Sequence, residues 1–206
     1  MLPQSVEPPS QPRSLSAETA RTIRRGMLDR DHMISLCGHV ERLRKQGCGE
    51  VPNFDPLDGG NRAQVLFLFE KPGPMTDERG RGSGFISRDN DDPTAEATFE
   101  FMRMAGIPRQ LTAIWNVVPW WNGTRRISGS ELRAGVAELR HLIERLPNLR
   151  SAVLVGRKAG RARSLLTTCG VRLFESAHPS PIVRATRRDV WSAIPGQWAE
   201  VGATLR

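Results

Sequence analysis

Apolar positions along the chain change their spacing several times, and each change predicts an element. Met33, Ile34, Leu36, Cys37, Val40 and Leu43 recur every three or four residues, which predicts a helix with one apolar face within residues 17–46. Gly47 and Gly49 stop it. Residues 51–63 (VPNFDPLDGGNRA) have the Pro, Gly and Asp content of a loop. Val65–Phe69 is an unbroken apolar run, the pattern of a strand covered on both faces. A stretch with Gly73, Gly80, Gly82 and Gly84 follows, and helical spacing returns over residues 94–105, between Pro93 and Gly106. Residues 112–118 predict a second strand. A helix is expected over 130–145, with Ser128 or Ser130 as its cap and Glu131 in its first turn. A third strand (152–155), a helix (157–168), a fourth strand (171–175) and a closing helix (186–200) complete the pattern. Strands alternating with helices call for crossover connections and a parallel sheet. Right-handed crossovers put helices on both faces. The expected fold is α/β: a three-layer α/β/α sandwich around a central, mostly parallel four-stranded sheet.

Composition adds a partner and removes several classes. Residues 1–16 are rich in Pro, Ser and Gln and predict a flexible tail, leaving residues 17–206 as a single domain. Lys and Arg number 30 against 22 Asp and Glu, a net charge of +8 over 206 residues. A basic excess of this size points to a polyanion, most simply a nucleic acid. No apolar stretch approaches the ~20 residues of a membrane span, and the start of the chain lacks the layout of a signal peptide. Three cysteines, Cys37, Cys48 and Cys169, cannot build a disulfide framework. A cytoplasmic, monomeric globular protein with free thiols and no membrane partner is therefore expected. Cys37, His39 and Cys48 match no familiar zinc spacing, so no metal is expected.

In open α/β sheets, ligands bind beyond the carboxyl ends of the strands. Four unusual segments fall there: Glu70-Lys71-Pro72-Gly73-Pro74, the run from Asn116 to Asn122, Gly156-Arg157-Lys158-Ala159-Gly160, and His178-Pro179-Ser180-Pro181. These segments resemble the uracil-DNA glycosylase superfamily. VLFLFEKPGP at 65–74 is similar to the family's first motif, an apolar strand followed by an acid, a variable residue, Pro and Gly. Gly84-Phe85-Ile86 resembles its downstream Pro-Phe-Val-Gly element. AIWNVVPWW (113–121), VLVGRKAGRA (153–162) and AHPSP (177–181) resemble its Asn-bearing strand end, third-strand segment and His-Pro-Ser-Pro motif. The resemblance spans roughly residues 50–200 in the right order.

Cleaving an N-glycosidic bond makes a cationic sugar and an anionic base, and both charges need stabilising. Glu70, the acid at the first strand's end, is the candidate to face the sugar and orient water. His178 is the candidate to face the departing base. The base must first leave the stack. Phe85 is the motif's candidate stacking ring. Asn116, with one donor and one acceptor, suits N3–H and O4 of uracil and opposes cytosine. The resemblance also puts Lys71 and nearby amides beside the base. Ser180 and Arg184, with Lys71, are candidate phosphate contacts, and Ile182 is the candidate wedge for the vacated stack.

Some family members carry an iron–sulfur cluster on four cysteines; three cannot supply it, so no cofactor is expected. Members with Tyr in the first motif shield the pocket from thymine, and here Lys71, Gly73 or Met75 must fill that space. Trp120 and Trp121 are candidates for the pocket, for stacking on DNA or for the core. The expected activity is hydrolytic release of uracil from single- or double-stranded DNA, with free uracil and an abasic site as products. A sensor of uracil or abasic DNA with little turnover, and a glycosylase for another deaminated or damaged base, remain alternatives.

Overall fold

The computed structural model describes residues 10–205. Four strands form one parallel sheet: β2 (Val65–Phe69), β4 (Thr112–Asn116), β5 (Ser151–Val155) and β6 (Arg172–Ser176), in the order β4-β2-β5-β6. Two short segments, β1 (Asn53–Phe54) and β3 (Phe85–Ile86), pair separately and in parallel. The helices are α1 (Glu18–Arg25), α2 (Asp31–Arg44), α3 (Pro93–Met104), α4 (Gly129–Ile143), α5 (Arg163–Thr168), α6 (Pro181–Thr186) and α7 (Arg188–Gly202). Helices flank the sheet in a three-layer sandwich; α2 packs with α4, while α3 packs with α7, which lies on β6. The fold is therefore the one the alternation predicts. β2, β4 and β5 are buried along their whole length, which explains their lack of polar alternation.

Local chemistry sets several boundaries. Ser128, not Ser130, caps α4: its side chain accepts from Glu131 N–H while Glu131 reaches back to Ser128 N–H, a complete capping box. Asp92 caps α3 by accepting from Thr94 and Ala95 N–H, with Pro93 at the first helical position.

Four expectations change. The helix expected within 17–46 is two, α1 and α2, broken between Gly26 and Arg30. Within α2, Ile34 is 59 % exposed, and His39 takes the buried place against Trp115. The expected closing helix is α7, but a short helix not expected, α6, precedes it, because Ser180-Pro181 starts a helical turn and Arg187 leaves helical geometry. The expected tail lies outside the described residues as far as residue 9, but it does not reach residue 16. Leu15 is buried against Ala20 and Phe85, and Arg13 pairs with Asp91 and Glu96.

The amino edge of the sheet carries a buried ionic cluster. Arg24 binds Asp55 at 2.5 Å and Asp89 at 2.6 Å, and Arg109 binds the same two at 2.6 and 3.0 Å. Arg88 and Asp58 complete a set whose three positive and three negative charges balance, as buried charges must. Burial raises the carboxyl of Asp55, yet Arg109 and Arg24 more than offset this and hold it below the ordinary range. Asp58 stands 3.4 Å from Arg88 and 2.9 Å from Arg109 without hydrogen-bond geometry. Burial therefore wins there and pushes its carboxyl up to about 6. This cluster fastens α1, the 51–63 loop and the 87–92 segment together, at the edge away from the strand ends that carry Glu70 and Asn116.

Candidate active site

Glu70 follows the last residue of β2, and Asn116 ends β4 directly beside Phe69 in the sheet register. His178 follows β6. Parallel strands deliver all three to one edge, because every carboxyl end points the same way.

Glu70 is held by the neighbouring strand's loop. Its Oε1 accepts the backbone N–H of Lys158 at 2.8 Å. A Cβ on Gly156 would stand 2.7 Å from that oxygen, and Gly156 has φ +92°, so the loop needs glycine there for space and for backbone. One carboxylate oxygen is thus fixed, and the other has no hydrogen bond among the described residues.

His178 stands edge-on to Phe69, with ring centroids 5.5 Å apart. Its Nδ1 is buried with no hydrogen-bond partner. Burial lowers the imidazole's pKa; the charges of Glu70 and Asp92 pull it back up, and Arg125 pushes it down further. The ring is therefore neutral at pH 7. Asn116 is 5 % exposed, and its Oδ1 is likewise buried without a partner. Buried polar atoms are nearly always satisfied. Two orphans at one sheet edge mark a place shaped for a polar ligand.

Residues 57–197 match the Uracil DNA glycosylase superfamily. The chain belongs to that superfamily. A search of curated proteins gives no match. Membership of the uracil DNA glycosylase superfamily implies glycosylase-type hydrolysis with DNA as substrate.

Not every residue singled out in the sequence reaches this site. Lys71 does not offer its ammonium to a base or phosphate. Its Nζ donates to Asn122 Oδ1 (2.7 Å), Glu131 Oε1 (2.9 Å) and Arg126 O (3.1 Å), using all three donors on a side chain 3 % exposed. Glu131 answers: burial opposes its ionisation, but Lys71 and Ser128 hold its carboxyl down to about 2. Phe85 leaves no face for a base. It is 0 % exposed and packed on Leu15 and Ala20, because β3 turns alternate side chains to opposite sides and Ile86 takes the main core. The ring that touches His178 is instead Phe69.

The His-Pro-Ser-Pro segment is a tight turn into α6. Ser180 N–H donates to His178 O at 2.8 Å, and Ser180 Oγ accepts from Val183 N–H at 3.3 Å. Ile182, in the first turn of α6, is 74 % exposed. Arg184 lies 5.7 Å over the ring of Trp191. Trp120 is core, at 3 % exposure, and the backbone of Trp121 bridges that of Glu50.

Two groups at the site were not legible as such. Asp92, the cap of α3, also reaches His178 with its charge, and burial raises its own carboxyl against the N–H bonds of Ala95 and Thr94. Arg125 lies in the loop after β4, and its guanidinium stands 3.7 Å from the place of a Cβ on Gly73. Among the described residues no group of His, Cys, Asp and Glu gathers to hold a metal ion, and no helix is long and apolar enough to cross a membrane.

Proposed function

We propose that the protein flips uracil out of DNA and hydrolyses its N-glycosidic bond, leaving an abasic site. The observation that carries this reading is the pair of unpartnered buried atoms, Asn116 Oδ1 and His178 Nδ1, at the edge where Glu70 is held by Lys158.

Each group has a role its environment suits. As the C1′–N1 bond breaks, its electron pair goes to the base, and negative charge collects on the ring oxygens. Neutral His178 donates a hydrogen bond to that charge. A charged imidazolium would cost more to bury and is not needed. Glu70, with one oxygen locked, turns the other toward the sugar. It stabilises the cation at C1′ and orients the water that adds there. Asn116 Oδ1 accepts N3–H of uracil while its amide donates to O4; cytosine presents the reverse pattern. Ile182 is exposed as a wedge must be, and the Ser180–Pro181 turn presents it.

An oligonucleotide with one deoxyuridine, treated with the protein and then with alkali, should be cut at that site. Glu70→Gln should retain binding and lose about 100- to 1000-fold in rate. No cleavage of single- or double-stranded DNA at enzyme excess would overturn the reading. Retention of uracil DNA without release would favour a sensor, and faster release of another base from a lesion panel would reassign the substrate.

A further inference from the structure

A concavity lies between α4 and the 3-10 turn Ala159–Ala162. It encloses about 410 Å³ and is lined by Gly129, Leu132, Arg133, Val136 and Arg161. That volume suits a small ligand of nucleotide size. Leu132 and Val136 give it an apolar floor. Arg133 and Arg161 give it two positive charges, and no acid lines it. Neither guanidinium makes an ion pair or hydrogen bond among the described residues.

Arg133 folds back along its helix. Its Nη1 stands 3.4 Å from the place of a Cβ on Gly129, over the first turn of α4. The N–H groups of that turn already present positive partial charge. A cation there is unfavourable alone and becomes favourable when an anion sits with it.

Both walls are tied to the candidate active site. Glu131, beside Leu132, binds Lys71, the residue after Glu70, at 2.9 Å. Lys158, next to the 3-10 turn, donates to Glu70 itself at 2.8 Å. The groove therefore lies beside the loops that hold Glu70.

We infer that the groove is a subsite for one nucleotide of the DNA strand flanking the extruded one. Its base lies on Leu132 and Val136, and its phosphate lies between Arg133 and Arg161. The inference rests on the glycosylase reading for the position of the strand. An apolar floor gains only from a base whose face is not already stacked, so the groove favours a single-stranded or locally opened neighbour.

The test is binding, measured by fluorescence anisotropy. The probe is a labelled single strand of about 11 nucleotides centred on 2′-fluoro-deoxyuridine, whose fluorine destabilises the sugar cation and keeps the bond intact. Arg133→Gln/Arg161→Gln should bind at least about tenfold more weakly, with an unchanged melting temperature. Arg133→Lys/Arg161→Lys should recover most of the affinity. A baseless spacer should then be moved through the neighbouring positions. At one position it should weaken the wild type several-fold and leave the glutamine variant indifferent. Equal affinity of variant and wild type, or a spacer effect that the variant shares at every position, would overturn the inference. A wild type that binds in this position-specific way but releases no base from the same strand carrying ordinary deoxyuridine would sink the glycosylase reading and leave the groove standing.

Discussion

The backbone N–H of Lys158 holds Oε1 of Glu70 at 2.8 Å, so the loop after one strand aims the acid at the end of its neighbour. This contact is possible only because Gly156 keeps out of the way. Gly156→Ala would place a Cβ 2.7 Å from Glu70 Oε1 at a φ of +92°. The backbone penalty is roughly 1–2 kcal/mol, and the carboxylate must also swing aside. Base release should fall at least about tenfold, from misplacement of the acid. The substrate Kd should hardly change. Single-turnover kinetics beside a binding titration checks this; unchanged turnover would show that Glu70 need not be held.

Lys71 fastens the β2 loop to the start of α4. Lys71→Ala takes the paired cation from Glu131, which keeps the Asn122 amide and Ser128 N–H as donors, and should cost about 1–3 kcal/mol of stability in a denaturant titration. Because the ammonium meets no phosphate, the dependence of DNA affinity on salt should keep its slope. A slope shallower by about one counterion would return Lys71 to the DNA interface.

Asn116 should decide between pyrimidines. Asn116→Asp exchanges the amide donor for an acceptor at the base edge. Uracil release should drop at least about a hundredfold, as it does when a buried reader is mismatched. Cytosine release should become measurable with a deoxycytidine oligonucleotide. Equal loss on both bases would mean that Asn116 only shapes its loop.

His39 predicts a pH dependence of stability. Burial, chiefly, with Arg42 nearby, lowers its imidazole from 6.5 to about 4, so the unfolded chain takes up a proton first as pH falls. The stability it contributes is complete above 6.5 and is lost toward 4; the gap is worth at most about 3 kcal/mol. Asp58 works the other way. With its carboxyl raised to about 6, its contribution is present below the ordinary aspartate range and fades as pH rises through about 6. Wild type and His39→Gln should therefore be compared by urea titration from pH 4 to 7. The variant's relative stability should rise as pH falls. Parallel curves would show that His39 is not buried neutral.

The sequence alone determined the sheet, because its strands are so deeply covered that they read as apolar runs, and helical spacing between them leaves only parallel crossovers. It also determined which segments meet at one edge, since direction follows from topology. Which side chains serve the site was a matter of tertiary structure. Lys71 and Phe85 sit inside matching motifs, yet one is consumed by Glu131 and the other by Leu15. Arg125 and Asp92 carry no motif signal of their own, yet their charges reach His178. Spacing along a chain reports a backbone's direction and period. Whether a donor is left free depends on partners distant in sequence, and those exist only once the chain has packed.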